Sequence, residues 1–182
     1  MHIIRTVKFT IPLILFVIII GFLWHGLKVN PGMIPSPLIS QPAPEFKLPQ
    51  LFYPNETTSN DDFIGHITLF NVWATWCNIC IEENDFLLKL TNIENLRIMG
   101  LNYKDDVALA KQWLHEHGNP YHVVAVDSSG NTGIDWGVYG TPETFIIDKK
   151  GIIRYKHIGP INAAIWEKTL YPIIVQLRNE TL

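Results

Sequence analysis

Cys77 and Cys80 are the only cysteines of the chain, and two residues separate them. Two thiols at this spacing can form a disulfide and release it again, which is the basis of thiol–disulfide exchange. A purely structural disulfide across so short a loop would stabilise the fold little. A zinc site needs four ligands, and the nearest candidates, His115 and His117, fall on a segment predicted to be an exposed helix. We therefore interpret the pair as a redox-active disulfide and expect neither a metal nor another cofactor.

The residues around the cysteines predict where the pair lies. Residues 66–73 are mainly β-branched and aromatic, which is typical of a strand buried on both faces. From Cys77 onward apolar residues recur at helical spacing, so a strand ends and a helix begins beside the cysteines. The N-terminus of a helix favours an anion such as a thiolate. Cys77 is therefore the predicted attacking thiol, and Cys80 is the thiol that resolves the mixed disulfide.

A proline directly before a predicted strand is the second signal. We predict a cis peptide bond between Thr141 and Pro142, which would turn the Thr141 backbone toward the cysteines. An extended peptide could then pair with that backbone. Thr141, Pro142 and the tryptophan that precedes the first cysteine, Trp76, are the predicted substrate-binding residues.

Two acidic residues are candidate catalytic groups, each with a plainer alternative. Glu83 lies three residues after Cys80, on the same helical face, where it either helps Cys80 to lose its proton or only complements the helix dipole. Glu143 follows the predicted cis proline and is either close to the cysteines or an ordinary strand residue. Acids at the site would raise the pKa of Cys77 and favour a reductant over an oxidant. Asn71 is expected to form hydrogen bonds without a catalytic role.

Hydrophobic periodicity predicts the elements that position these residues. Strands are predicted at residues 45–48, 66–73, 96–101, 121–126, 143–147 and 152–157, and helices at residues 77–92, 105–117 and 162–178. Residues 51–62 are predicted to be a loop, and Pro172 is expected to bend the last helix. Strands that alternate with helices and end in a hairpin predict an α/β fold, in which helices cover both faces of a mixed central sheet.

The N-terminal part of the chain predicts a membrane anchor. Residues 9–27 contain no charged side chain and, as a helix, span about 28 Å, close to the thickness of the bilayer hydrocarbon. A cleaved signal peptide and a buried core helix are the alternatives. No cleavage site of small residues follows the run, which favours a retained transmembrane helix.

Charge sets the orientation of this anchor and argues against one class of partner. Arg5 and Lys8 predict that residues 1–8 are a cytoplasmic tail. Prolines recur in residues 28–43, which predicts a semi-rigid linker to a globular domain at residues 44–182. Three of the 14 basic residues lie in the first 28, so the rest of the chain has 11 basic and 17 acidic residues, a formal charge of −6. We therefore expect no nucleic-acid partner.

Five stretches of the chain carry a resemblance to a known family. They are residues 70–77 with Cys80, 100–106, 118–121, 137–148 and 151–159. Together they resemble the thioredoxin superfamily and, more narrowly, the periplasmic CcmG/DsbE proteins. The cysteine pair is common to the superfamily, whereas residues 102–106 and 137–145 are more specific to the narrower family. One position departs from the pattern, because relatives often have proline directly after the first cysteine, where this chain has Asn78.

The resemblance implies a thioredoxin-like domain that is anchored in the inner membrane and lies in the periplasm. It also implies a role in cytochrome c maturation: such proteins keep the cysteines of apocytochrome c reduced, directly or through a maturation partner. They receive electrons from a membrane thiol carrier of the DsbD type. An acid at the position of Glu83 is typical of these relatives, which favours a catalytic role for it.

Two other functions stay open at this point. One is an anchored oxidoreductase with a different client, such as a TlpA/ResA-like reductase or a general oxidant. The other is a non-catalytic module that holds peptides at Thr141 and Pro142.

Overall fold

The computed structural model describes residues 2–26, 36–93 and 96–180. The chain divides into one unit that ends at Pro35 and a second that begins at Ser36. In the first unit, helix α1 covers His2–Gly26. Within the described residues no helix is long and apolar enough to cross a membrane, and the anchor at residues 9–27 stays a prediction.

The second unit begins before the boundary that the sequence predicted at residue 44. The Ser40 N–H donates a hydrogen bond to the carbonyl of Ile153 at 2.7 Å, which ties this segment to the body of the domain. Three apolar side chains of the segment pack against the core: Leu38, Ile39 and Ala43. Residues 36–43 are therefore part of the domain and not of the linker, because their apolar side chains gain buried surface there. Residues 28–35 lie outside the described residues.

The second unit is built from short strands and helices. Its strands are β1 (Lys47–Pro49), β2 (Thr57–Ser59), β3 (Ile67–Trp73), β4 (Leu96–Tyr103), β5 (Val123–Asp127), β6 (Glu143–Ile147) and β7 (Ile153–Ile158). Its α-helices are α2 (Ile79–Leu90), α3 (Val107–His117), α4 (Asn131–Asp135), α5 (Ala163–Ile165) and α6 (Tyr171–Asn179). A 3-10 helix covers Asn60–Phe63, and a π-helical segment covers Trp166–Leu170.

Five strands form the central sheet in the order β5-β4-β3-β6-β7, and β1 and β2 form a separate two-stranded sheet. Strand β3 is parallel to β4 and antiparallel to β6, so the sheet is mixed, as predicted. Every residue of β3 is buried, which confirms that residues 66–73 include a central strand. Its C-terminal end leads directly to the cysteines.

Side chains alternate between the two faces of the sheet, so each strand contributes to two cores. On β3, Leu69 and Trp73 pack into the core that contains both cysteines, and we call this side the cysteine face. Phe70 and Val72 pack into the other core, on the opposite face. Residues of α2, α3 and α6 pack into the core of the cysteine face. The opposite face is covered by the 3-10 helix, by the segment that begins at Ser36 and by Trp136 at the end of α4. Helices thus lie on both faces, as predicted, although the longer ones share one face.

Several boundaries differ from the sequence prediction. Residues 51–62 were expected to be a loop but contain β2 and the start of the 3-10 helix. The helix after the cysteines begins at Ile79 rather than at Cys77. The last helix changes to π-helical geometry just before Pro172, whose missing N–H and ring disturb the preceding turn. The five-residue helix α4 was not predicted, because its composition is typical of a turn.

Candidate active site

The two cysteines lie between the end of β3 and the start of α2. They are joined by a disulfide, with Cα atoms 5.4 Å apart. Both side chains are buried in the core of the cysteine face. Asn78, which lies between them, is the N-terminal cap residue of α2, so Cys77 is next to the helix N-terminus, as predicted. Backbone N–H groups at such a terminus stabilise a thiolate.

Asp105 fixes the loop that leads to the first cysteine. Its carboxylate accepts hydrogen bonds from the backbone N–H and the hydroxyl of Thr75, both at 2.6 Å. It also accepts one from the side-chain amide of Asn102 at 2.8 Å. One carboxylate at the end of β4 therefore holds the backbone two residues before Cys77.

Trp76 is the exposed aromatic residue beside the disulfide. Its side chain is 55% exposed, and its indole N–H donates a hydrogen bond to the carbonyl of Lys104 at 3.1 Å. This bond holds the ring at the surface, where it is available to another molecule. Trp73, by contrast, is buried and stacks on Tyr121 with ring centroids 5.7 Å apart.

The peptide bond between Thr141 and Pro142 is cis, which confirms the sequence prediction. Glu143 pairs with Val72 across β3 and β6, so in this register Pro142 comes opposite Trp73, the last residue of β3, and Thr141 lies beyond the strand, toward the loop with the cysteines. The Pro142 carbonyl accepts a hydrogen bond from Gly159 N–H at 2.9 Å. Within the described residues the buried Thr141 hydroxyl has no hydrogen-bond partner.

Glu83 is buried in a polar network, about one helical turn after Cys80 on α2. Its carboxylate accepts hydrogen bonds from the Ile161 N–H at 2.9 Å and from the side-chain amide of Asn71 at 3.0 Å. The side-chain N–H₂ of Asn71 also donates a hydrogen bond to the Thr144 hydroxyl at 2.9 Å. The side-chain carbonyl of Asn71 accepts a hydrogen bond from the Tyr121 hydroxyl at 2.8 Å. The solvated first-turn acid, which was the alternative for Glu83, is therefore excluded by its burial.

The electrostatics of this network are set by burial. Burial raises the pKa of Glu83 from 4.5 to about 7, and its hydrogen bonds with Ile161 and Asn71 offset part of the increase. Burial also raises the pKa of Tyr121 well above its usual range, and the charge of Glu83 adds to that effect. A carboxyl group with a pKa near 7 can accept and return a proton at neutral pH.

The side chain of Glu143 does not point into the core that contains the cysteines, although its backbone follows the cis proline. Side chains of a strand alternate, so Glu143 shares its side of β6 with Phe145, which belongs to the core of the opposite face. There its carboxylate forms a buried ion pair with Lys156 at 2.9 Å and accepts a hydrogen bond from the Tyr139 N–H at 2.9 Å. Glu143 is adjacent to the cis proline along the backbone, but its side chain lies on the face of the sheet opposite to the cysteine face.

Three polar residues of the site were not predicted as functional: Asn71, Tyr121 and Thr144. Asn71 left one signal in the sequence, since it is the amide side chain within an otherwise apolar buried strand. Tyr121 and Thr144 gave none, because only the folded sheet brings them to Asn71.

A metal site is not evident among the residues that the structure describes, since no three His, Cys, Asp or Glu side chains lie together. His115 and His117 lie in the last turn of α3, and the ring of His117 packs on Trp113 with centroids 4.8 Å apart.

Comparison with known proteins identifies the family to which the chain belongs. Residues 39–170 match the Redoxin family. Curated relatives with the name thiol:disulfide interchange protein DsbE match nearly the whole chain. The relative from Allochromatium vinosum is 45% identical over 166 residues, which are 91% of this chain and 92% of the relative. The relative from Escherichia coli is 43% identical over 169 residues, which are 90% of this chain and 91% of the relative.

Solved structures support the fold. A DsbF homologue from Corynebacterium diphtheriae has a TM-score of 0.66 at 21% identity, and covers 82% of this chain and 97% of its own. The thioredoxin domain of a thiol-disulfide oxidoreductase from Bacteroides vulgatus has a TM-score of 0.65 at 19% identity, and covers 78% of this chain and 99% of its own. At these identities the likeness shows a thioredoxin-like fold alone. The family match, the similarity of nearly the whole chain to the DsbE relatives and the disulfide of Cys77 and Cys80 agree. The chain therefore belongs to the Redoxin family and is a DsbE-type thiol–disulfide oxidoreductase.

Proposed function

We propose that this protein is an anchored periplasmic reductant in cytochrome c maturation. Its clients are the cysteines of apocytochrome c or those of a maturation partner, and a membrane thiol carrier of the DsbD type returns it to the dithiol form. The observation that carries the proposal is the disulfide of Cys77 and Cys80 at the start of α2, with the carboxyl group of Glu83 buried on the same helix. An acid near the pair raises the pKa of the attacking thiol, which favours the reducing direction. The redox group is the cysteine pair itself, and no other cofactor takes part.

The reaction begins with the dithiol form. The Cys77 thiolate attacks one sulfur of the client disulfide. A mixed disulfide forms between Cys77 and that sulfur, while the client S–S bond breaks and the other client sulfur leaves as a thiolate, which takes up a proton. Cys80 then loses its proton and attacks the Cys77 sulfur. The client leaves with two thiols, and its two electrons have come from the cysteine pair, which is now the disulfide.

Glu83 is the proposed proton acceptor for Cys80. Both side chains are buried, and they lie three residues apart on one face of α2. A buried thiol ionises poorly by itself, so the attack of Cys80 on the mixed disulfide needs a base whose pKa is close to the ambient pH. Glu83 meets that requirement, whereas Glu143 lies on the opposite face.

Trp76, Thr141 and Pro142 are the proposed client-binding residues. Trp76 offers an exposed ring, and the register of β3 and β6 brings the cis peptide bond to the end of β3 that leads to the disulfide. An extended client segment that pairs with the Thr141 backbone would run across Cys77.

Residues 9–27 are the proposed single membrane anchor, which holds the domain on the periplasmic side of the inner membrane. The apolar character of the run and the positive charges of Arg5 and Lys8 support this orientation. The test is labelling of Cys77 in intact cells with a membrane-impermeant maleimide after reduction. Labelling only after the inner membrane is broken would contradict the periplasmic location.

The function is tested by trapping. Cys80→Ser removes the resolving thiol, so mixed disulfides on Cys77 should accumulate, and mass spectrometry should identify apocytochrome c or a maturation protein in them. Cys77→Ser, in which the attacking thiol is absent, is the matched control and should trap far less. Trapped clients without any link to cytochrome c would refute this assignment and favour a different client.

A further inference from the structure

The ion pair between Glu143 and Lys156 is buried on the face of the sheet that does not carry the cysteines. The two side chains are only 1% and 5% exposed, and Lys156 Nζ lies 2.9 Å from the Glu143 carboxylate. A buried ion pair contributes little net stability, because the loss of hydration cancels most of the attraction. Its location calls for an explanation other than stability.

Both members of the pair bind the loop that precedes the cis proline. Lys156 Nζ donates a hydrogen bond to the Gly137 carbonyl at 2.6 Å, and it lies 4.6 Å from the centre of the Tyr139 ring. The Glu143 carboxylate accepts a hydrogen bond from the Tyr139 N–H at 2.9 Å. The pair therefore fixes the loop at two backbone groups and at one side chain.

The loop carries an exposed aromatic residue, Tyr139, three residues before the cis proline. Tyr139 is 78% exposed, although its backbone N–H is bound by the buried carboxylate of Glu143. Gly137, with a φ of 61°, ends the turn of α4 and allows the chain to change direction there. From Tyr139 the chain continues through Gly140 to the cis peptide bond at Thr141 and Pro142.

We propose that Lys156 and Glu143 are positioning residues for client recognition: their ion pair holds residues 137–142 in place, so that Tyr139 and the cis-proline segment present one surface to a client protein. The inference rests on the proposed function, in which a client binds beside Cys77. Neither residue touches the reacting sulfur atoms, so the pair should govern the capture of protein clients and not the reactivity of the cysteines.

The test compares two disulfides as oxidants of the reduced enzyme. One is a synthetic peptide with an oxidised Cys-x-x-Cys-His sequence, and the other is glutathione disulfide, which is too small to span the loop. Lys156→Met should lower the second-order rate constant with the peptide by about tenfold, as expected when a charged hydrogen bond that orders the loop is lost. The rate constant with glutathione disulfide should stay within about twofold. Lys156→Arg, which keeps the charge and the donors, should restore most of the peptide rate.

A second measurement follows the loop without any client. In amide hydrogen exchange, the Tyr139 N–H should exchange about tenfold faster in Lys156→Met, because its acceptor on Glu143 is no longer held. Arg154→Met is the matched control: it removes two other ion pairs of β7, one with Asp148 and one with Glu180, and should leave the Tyr139 exchange and both rate constants unchanged.

Each outcome decides the matter. An unchanged peptide rate in Lys156→Met, or an equal loss with both disulfides, would overturn the positioning role. If the wild type does not prefer the peptide to glutathione disulfide, the proposed client is wrong, and the Tyr139 amide alone then supports or refutes the hold on the loop. If Lys156→Met does not fold, Glu143→Gln is measured in the same way with the same expectations.

Discussion

The side-chain amide of Asn71 donates a hydrogen bond to the Glu83 carboxylate across 3.0 Å of buried interior. The side-chain carbonyl of Asn71 also accepts a hydrogen bond from the Tyr121 hydroxyl, which fixes the orientation of the Asn71 amide group. Two donors, Asn71 and the Ile161 N–H, are too few to offset the burial of a charge, which is why the pKa of Glu83 is about 7. The site thus holds a carboxyl group that changes its protonation state near neutral pH.

Replacement of Glu83 by glutamine should slow the second chemical step. Without a carboxylate to take the Cys80 proton, resolution of the mixed disulfide should be about a hundredfold slower at pH 7, and the rate should lose its rise through about pH 7. Rapid acid quenching of single turnovers, followed by mass spectrometry, measures the mixed disulfide directly.

Glu82→Gln is the control for this experiment, because Glu82 is the exposed neighbour on the same turn of α2. It should leave both steps at the wild-type rate. If the mixed disulfide resolves equally fast in Glu83→Gln and Glu82→Gln, then Glu83 is not the proton acceptor.

The raised pKa of Glu83 also predicts how stability depends on pH. The folded protein binds the Glu83 proton up to about pH 7, whereas the unfolded chain releases it near 4.5, so the folded state loses stability as the pH rises between those values. The full contribution is about 3 kcal/mol. Urea denaturation of the oxidised protein at several pH values should show this decline in the wild type and its absence in Glu83→Gln. Parallel curves for the two proteins would show that the pKa is not raised.

Asn71→Leu should move the activity profile to higher pH. The substitution removes the amide donor to Glu83, and because that hydrogen bond lowers the pKa of Glu83, its loss should raise the pKa above about 7. The buried Tyr121 hydroxyl would lose its acceptor, at a cost of about 1–3 kcal/mol of stability. The pH dependence of mixed-disulfide resolution measures the shift. Tyr121→Phe, which keeps the amide donor, should shift the profile much less, and an equal shift in both variants would contradict the assignment to Asn71.

Much of the fold could be predicted from local patterns. The apolar run of β3, the acids before α3 and the glycine turn of the last hairpin each determine the local structure within a few residues. The recurrent prolines of residues 36–43 predict a linker, whereas Leu38 and Ile39 pack against the core. The burial of these side chains is set by the folded domain and not by the local sequence.

The active site also contains residues that local patterns predict and residues that only the folded domain brings together. Cys77, Cys80 and the cis proline are recognisable because their chemistry is local. The nearness of Glu143 to Pro142 along the chain predicts a position at the cysteines, whereas strand alternation turns its side chain to the opposite face. The hydrogen bonds of Asn71 join residues as many as 73 positions apart, and no local pattern specifies them.

The last prediction concerns Asp105, whose carboxylate holds the backbone before the first cysteine. Asp105→Ala removes two hydrogen bonds with Thr75, each to a charged group, and should lower the free energy of unfolding by about 3 kcal/mol. The Thr75 amide should exchange with solvent much faster, and peptide reduction should slow by about tenfold because Cys77 is no longer held in one position. Asp106→Ala is the control: Asp106 caps α3 through the N–H groups of Ala108 and Leu109, so its loss should cost about 1 kcal/mol without any change at Thr75. Since the two aspartates are adjacent, loss of activity in both variants in proportion to stability would show that Asp105 only supports the fold. Loss in Asp105→Ala alone would show that the disulfide loop must be held for the reaction to proceed.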